Sequence, residues 1–362
     1  MPPKDLPCGP QLQYGRGERK LEHWAGRRRA KPAVQDRSCY GGARGFPLDQ
    51  MSTRIAVIGP RRARTGTGPY VARFLREYGF EVLEWGRQQA QAFLSSPCAL
   101  PPVEAIAICS PPETHFAFLA AALRRSLGVL CEKPLVWPPD HSAASLRRLT
   151  AQLDAAARGG PKPLLIHENT QWPYTLPGYR ELAGDFTPDQ VREFECIFAP
   201  SRGDPPGMIM EAAPHANSLL LALGCTGTGN LSLDYRPPGE DSPARIEIRF
   251  ESRGPGGAVQ VCYRFEQCPQ QPRPAAYAVN GKWAWRRVAL PGYGVYLKLN
   301  GKELEIQDPM RLCVGDFAWK ISEGAPAAGE TALPAAIRRN LEMSAAILEG
   351  LELLEASGEP HA

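Results

Sequence analysis

The sequence predicts two architectures in succession. An α/β nucleotide-binding domain with a parallel sheet comes first, and an α+β domain with a large, mainly antiparallel, open-faced sheet follows. Three observations carry this. Short apolar runs alternate with helical-period segments from Ile55 to Ile166, the rhythm of β–α–β units. Beyond Ile166, alternation takes over at Phe194/Cys196/Phe198, Ile246/Ile248/Phe250 and Val259/Val261/Tyr263/Phe265. Two Asn-Gly pairs, Asn280-Gly281 and Asn300-Gly301, sit between apolar runs and predict tight hairpins. A chain of 362 residues holds two such domains. The boundaries read as an extension over 1–50, a nucleotide-binding domain over 51–166 and a second domain over 167–357.

In order, Ile55–Ile58 is a buried strand ending at Gly59. A helix follows with Pro69 in its first turn and Val71, Phe74, Leu75 and Tyr78 on one face, closed by Gly79. Glu81–Trp85 is the next strand. Ala105–Cys109 is a strand stopped by Ser110-Pro111-Pro112, since proline has no N–H for the ladder. Glu113 and Thr114 open a helix bearing Phe116, Leu119, Ala120 and Leu123, which Gly128 ends. Val129–Cys131 then leads into Glu132-Lys133-Pro134. Asp140 caps a helix with Leu146, Leu149 and Leu153, closed by Gly159-Gly160, and Leu164–Ile166 is the last parallel strand. A helix around Ala212–Leu223 covers the second sheet, and a final helix runs from Pro334 to about Glu355.

Residues 1–50 are rich in Gly, Pro and Arg, without sustained periodicity, and read as disordered. They hold ten basic and five acidic residues, so the +4 net charge arises there. Arg27-Arg28-Arg29 reads as a solvated charge run rather than a nucleic-acid contact. Met51 is an alternative start, because Met51-Ser-Thr-Arg-Ile leads directly into the first strand. No apolar run has membrane-span length and no signal-peptide core is seen. The ten cysteines are scattered without a C-x-x-C pair, and no Asp/His cluster has metal-ligand spacing. Reduced thiols and a cytoplasmic location are expected.

An apolar strand ending in Ser110-Pro111-Pro112-x-x-His115, then a strand ending in Glu132-Lys133-Pro134, resembles the Gfo/Idh/MocA oxidoreductases. With the β–α–β unit before and Glu211…His215 after, the resemblance covers about residues 54–357. It implies a Rossmann-like domain, an NADP or NAD cofactor and hydride transfer to or from a sugar-like, polyol or related carbonyl or imine small molecule. It also implies a homo-oligomer formed through the second sheet.

The same resemblance implies that Lys133 holds the reacting oxygen and that His215 moves the proton. Glu211, in place of the family's aspartate, would orient His215 or hold a substrate hydroxyl. Pro214 interrupts the usual spacing there and predicts an altered local backbone. Asn169 matches the asparagine after the last nucleotide-domain strand. Where relatives carry basic residues, Thr170-Gln171 stand here, with Trp172 and Tyr174 beyond. This predicts a more aromatic, less cationic wall, which argues against a phosphorylated or strongly anionic substrate. Trp172 reads equally as core.

Gly59, Gly66 and Gly68 frame a loop longer than G-x-G-x-x-G, in which Arg61, Arg62 and Arg64 could contact phosphate. Ser110, Pro111, His115 and Glu132 would border the cofactor. Arg87, just past the second strand, favours NADP over NAD. Two other classes compete: a non-catalytic dinucleotide-binding sensor of the same fold, and a nucleic-acid binder acting through residues 1–50.

Overall fold

The computed structural model describes residues 53–59, 66–95, 100–159, 165–289, 294–323 and 332–357. The 1–50 extension, Met51, Arg61, Arg62, Arg64, Gly160 and Leu164 lie outside the described residues.

Strands β1 (Arg54–Ile58), β2 (Glu81–Trp85), β3 (Ala105–Ile108), β4 (Gly128–Glu132) and β5 (Ile166–Asn169) form a parallel sheet in the order β2-β1-β3-β4-β5. Ile55, Ala56, Val57 and all of β3 are fully buried, as continuous apolar runs between helical layers require. One transverse row, Trp85–Ile58–Ile108–Cys131–Glu168, crosses all five strands in register. The next residues therefore emerge together at the carboxyl edge: Gly59, Cys109-Ser110, Glu132-Lys133 and Asn169.

Helices α1 (Gly68–Glu77), α2 (Arg87–Ser95), α3 (Pro112–Arg124) and α4 (Ala143–Arg158) connect these strands. Several details differ from the sequence reading. Helix α3 starts at Pro112, one residue earlier than expected, with Pro111 as its cap. Its buried stripe is His115, Phe118, Leu119 and Ala122, rotated from the expected face; Phe116 and Ala120 are only half-buried. The period was right and the phase was not, because Ala and Phe are apolar on both sides. Ser142, not Asp140, caps α4: its Oγ accepts from Ser145 N–H, while Asp140 accepts from Ser142 N–H and from the Ser142 and Ser145 hydroxyls. Helix α2, absent from the reading, begins at Arg87. Strand β5 runs across the expected boundary at 166/167.

The second sheet is β13-β12-β11-β10-β6-β9-β8-β7. In chain order these are β6 (Glu193–Phe198), β7 (Thr226–Arg236), β8 (Arg245–Gly254), β9 (Gly257–Glu266), β10 (Ala275–Val279), β11 (Lys282–Ala289), β12 (Gly294–Leu299) and β13 (Lys302–Ile306). Among the described residues of this sheet, β6 and β9 pair in parallel and the other neighbours pair antiparallel. The alternating residues named from sequence on β6, β8 and β9 are all buried. They lie beneath α6 (Pro205–Ala222) and α8 (Ala335–Ser357). Asn280, Gly281, Asn300 and Gly301 all have positive φ, between 48° and 80°, the geometry of two-residue hairpins.

Helix α6 runs through Pro214 without a break, contrary to the altered backbone expected there. The Pro214 carbonyl accepts from Asn340 Nδ2 on α8 at 3.1 Å. Helix α7 (Pro309–Ser322), also absent from the reading, lays Val314 and Phe317 into one core with Val71 and Leu75 of α1, covering a face of the parallel sheet. No helix among the described residues is long and apolar enough to cross a membrane.

Gly59 has φ +82°, and a Cβ there would meet the Cys109 carbonyl oxygen at 2.8 Å. Gly59→Ala should therefore destabilise the protein by roughly 1–3 kcal/mol or more. A thermal melt checks this; an unchanged Tm would show that β1 and β3 can separate at their ends without cost.

Candidate active site

The crevice begins at the carboxyl edge of the parallel sheet. In open α/β sheets this is where backbone groups and side chains leave the ladder and can face a ligand. Lys133, just past β4, extends its Nζ to the carbonyl of Glu211 on α6. The pKa of Lys133 is lowered, first by burial, and Arg273 adds positive charge nearby. His215 lies one turn beyond Glu211 on α6. Burial, then the charges of Lys133 and Arg286, hold its imidazole well below the ordinary 6.5. Its Nδ1 is buried with no hydrogen-bond partner among the described residues, and its ring stands edge-on to Phe198. The Lys133 amine at the end of β4 is thus tied to the helix that carries the His215 imidazole.

Glu211 does not orient His215. Its carboxylate accepts from Ser201 N–H at 2.7 Å, Ser201 Oγ–H at 2.6 Å and Arg273 Nη1–H at 3.2 Å. The i, i+4 spacing was sound, but the loop after β6 and the segment before β10 supply better donors. What reaches Lys133 is the Glu211 main chain.

Below Lys133, Glu132 accepts from Asn169 Nδ2, and burial raises its pKa. Asn169 Oδ1 is buried without a hydrogen-bond partner among the described residues. Ser110 Oγ lies 2.7 Å from Thr114 Oγ1. His115 is fully buried, with Nδ1 2.9 Å from the Pro134 carbonyl and Nε2 2.8 Å from that of Ser110. The neutral ring favoured by burial has one N–H and donates to one of these two carbonyls, and its full burial keeps it from the direct cofactor contact expected. Gly66 and Gly68 lead into α1, whose first turn has no acidic residue. Arg87 is exposed at the start of α2.

Trp172 is core, 4% exposed, with its ring 4.5 Å from that of Phe198 and edge-on to Tyr277. Tyr174 points elsewhere, donating to Asp316 at 3.0 Å. Arg286 of β11 stacks over Trp172, its Cζ 5.0 Å from the ring centroid, and its Nη2 donates to the Arg273 carbonyl. Sequence reasoning missed Arg273, Arg286, Ser201 and Glu168. The one available signal was the alternation Trp283-Ala284-Trp285-Arg286, which puts Arg286 on the face of the buried Ala284.

Glu168 sits beneath this layer, accepting from Leu135 N–H at 2.9 Å and Asn340 Nδ2–H at 3.0 Å. Burial pushes its carboxyl up to about 7. The folded state therefore keeps this proton at pH values where an unfolded glutamate, near 4.5, has lost it. Its contribution to stability is complete below about 4.5 and disappears as pH rises through about 7. Urea unfolding across this range should show the wild type losing stability with rising pH relative to Glu168→Gln. A pH-independent difference would remove the assignment.

Among the described residues no group of His, Cys, Asp and Glu could hold a metal ion. Residues 55–157 match the family model of the Gfo/Idh/MocA oxidoreductases, described as an oxidoreductase family with an NAD-binding Rossmann fold. No curated protein sequence matches the chain. Among solved structures, the UDP-N-acetylglucosamine 3-dehydrogenase GnnA from Acidithiobacillus ferrooxidans is similar at 17% identity and TM-score 0.56, over 84% of this chain and 99% of that one. An inositol dehydrogenase homolog from Azotobacter vinelandii, complexed with NAD+, is similar at 15% identity and TM-score 0.56, over 86% and 98%. At these identities the likeness is one of fold.

Proposed function

We propose that this protein, whose residues 55–157 match the Gfo/Idh/MocA family model, is an NAD(P)-dependent oxidoreductase. Its substrate would be a sugar-like, polyol or related carbonyl or imine small molecule. The observation that carries the reading is that Lys133, at the carboxyl edge of the parallel sheet, hydrogen-bonds the Glu211 carbonyl on the helix that carries His215 one turn further on.

The residues present suit a dinucleotide. Gly59, Gly66 and Gly68 lead to the amide end of α1, where phosphate is favoured. Ser110, Pro111 and Glu132 border the edge beyond it, and the buried, unpartnered Asn169 Oδ1 lies on the same edge. Glu84 pairs with Arg76 at 2.6 Å, which leaves Arg87 at the tip of β2 and supports acceptance of a 2′-phosphate. When bound, the dinucleotide supplies the hydride acceptor or donor.

In the oxidative direction the substrate carbon gives up a hydride and its oxygen a proton, leaving a carbonyl. His215 is neutral above its depressed pKa and is competent to take that proton. Lys133 has three donors, one spent on the Glu211 carbonyl, so others remain to hold the oxygen as negative charge builds. Glu211 keeps the two in place through its main chain. Self-association through the outer face of the eight-stranded sheet, where Trp283 and Trp285 stack 6.4 Å apart, belongs to the same reading.

Titration with NADPH and NADH, followed by nicotinamide fluorescence, should show binding, with NADPH tighter. Lys133→Ala and His215→Ala should each lower kcat by roughly 10²–10⁴ while leaving dinucleotide affinity intact. Near-normal turnover in either would end that residue's role. Oxidation should lose rate only below the usual histidine pKa of 6.5, and reduction should show the opposite slope. An acid limb that survives His215→Asn would assign the proton to another group. The diversion of Glu211 away from His215 favours one alternative, a dinucleotide sensor without turnover. Cofactor binding with no reaction across sugars, polyols and imines would select it.

A further inference from the structure

Glu211 meets Lys133 with its main chain and turns its side chain elsewhere. The Lys133 ammonium donates to the Glu211 carbonyl, while the carboxylate of the same residue faces three other donors. Ser201, in the loop after β6, supplies an N–H at 2.7 Å and an Oγ–H at 2.6 Å. Arg273, from the segment before β10, supplies Nη1–H at 3.2 Å and is the ion partner of Glu211 among the described residues. The main chain of Arg273 is anchored in turn, its carbonyl accepting from Arg286 Nη2 at 3.2 Å. Ser201 thus fixes where the carboxylate lies, and Arg273 offsets its charge.

That offset matters because a free carboxylate beside an ammonium competes for it. Lys133 has three donors, and one is spent on the carbonyl. An ion pair with the Glu211 side chain would take donors that a substrate oxygen needs. Several groups face the amine from the elements packed around it. Burial acts first and disfavours the charged form. The charges of Glu211 on α6, Glu132 on β4 and Glu168 on β5 favour it, Glu211 foremost, and that of Arg273 opposes it. His215, also on α6, is held neutral by its own burial and adds no charge near neutral pH.

We propose that Arg273 is a positioning residue for Lys133: bound to the Glu211 carboxylate, it keeps that carboxylate from claiming the ammonium and leaves the free donors of Lys133 to the substrate oxygen. This rests on the reading of Lys133 as the group that holds the reacting oxygen. Arg273 itself touches neither substrate nor dinucleotide in this scheme. It acts through the residue on which Lys133 is anchored.

The test titrates Lys133 directly in the full-length protein, without dinucleotide or substrate. Lysine is isotope-labelled and followed by NMR at Cε, and the Lys133 resonance is identified by its loss in Lys133→Arg. Arg273→Gln should raise the proton affinity of Lys133 by roughly threefold to tenfold, because an opposing charge is gone. Arg273→Lys, which keeps the charge, should stay close to the wild type. Glu211→Gln should shift the titration the opposite way, because it removes the leading charge that favours the ammonium. The two signs separate this field from simple loosening, which would hydrate Lys133 and raise its proton affinity in both variants. Thermal melts report whether each variant is folded, and Glu211→Gln tests the same field without altering Arg273. An unmoved Lys133 titration in folded Arg273→Gln overturns the proposal, as do shifts of the same sign in Arg273→Gln and Glu211→Gln. Failure to find turnover with any sugar, polyol or imine would instead remove the oxidoreductase reading, while the Lys133 titration would stand by itself.

Discussion

The site depends on one half-buried ammonium reaching across to one carbonyl. Lys133 leaves the end of β4 and finds the main chain of Glu211 on α6, so an element of the parallel sheet is tied to the helix that covers the antiparallel one. A desolvated cation is costly unless it is hydrogen-bonded. The helix must therefore stay within reach of the strand end, and His215, one turn further along the same helix, is carried into the crevice with it.

The surroundings keep that distance. Asn340 on α8 donates to Glu168 of β5 and to the Pro214 carbonyl in α6, so one side chain joins the parallel sheet to the very turn that holds His215. Asn217 extends the network, accepting from Tyr263 of β9 and donating to Ser344 of α8. Helix α8 also reaches α4, where Glu352 accepts from Ala143 N–H and Glu349 pairs with Arg147. On the other side His115 joins the Ser110 and Pro134 loops. These hydrogen bonds restrain the packing around the crevice, whereas Asn169 Oδ1, His215 Nδ1 and Asn340 Oδ1 are buried with no hydrogen-bond partner among the described residues.

Much of this was legible in the residues. Lys133 and His215 were singled out through the resemblance, the lysine as part of Glu132-Lys133-Pro134 and the histidine as the fourth residue after Glu211. The buried faces of β6, β8 and β9 followed from strict alternation, which allows only one assignment of inside and outside. The face of α3 was less determinate, because a helix apolar on several sides does not say which stripe is covered. Helix α7 escaped notice because its partner, α1, lies more than 230 residues earlier in the chain.

The chain's own residue order determined the two sheets and the hairpins at Asn280 and Asn300, because periodicity and turn geometry are local properties. Only the tertiary structure decided what each polar group faces. It turned Glu211 toward Ser201 and Arg273 instead of His215, placed His115 between two backbone carbonyls and set Arg286 on Trp172. A side chain's partner is chosen by competition among all donors and acceptors within reach, and strands far apart in sequence supply most of them.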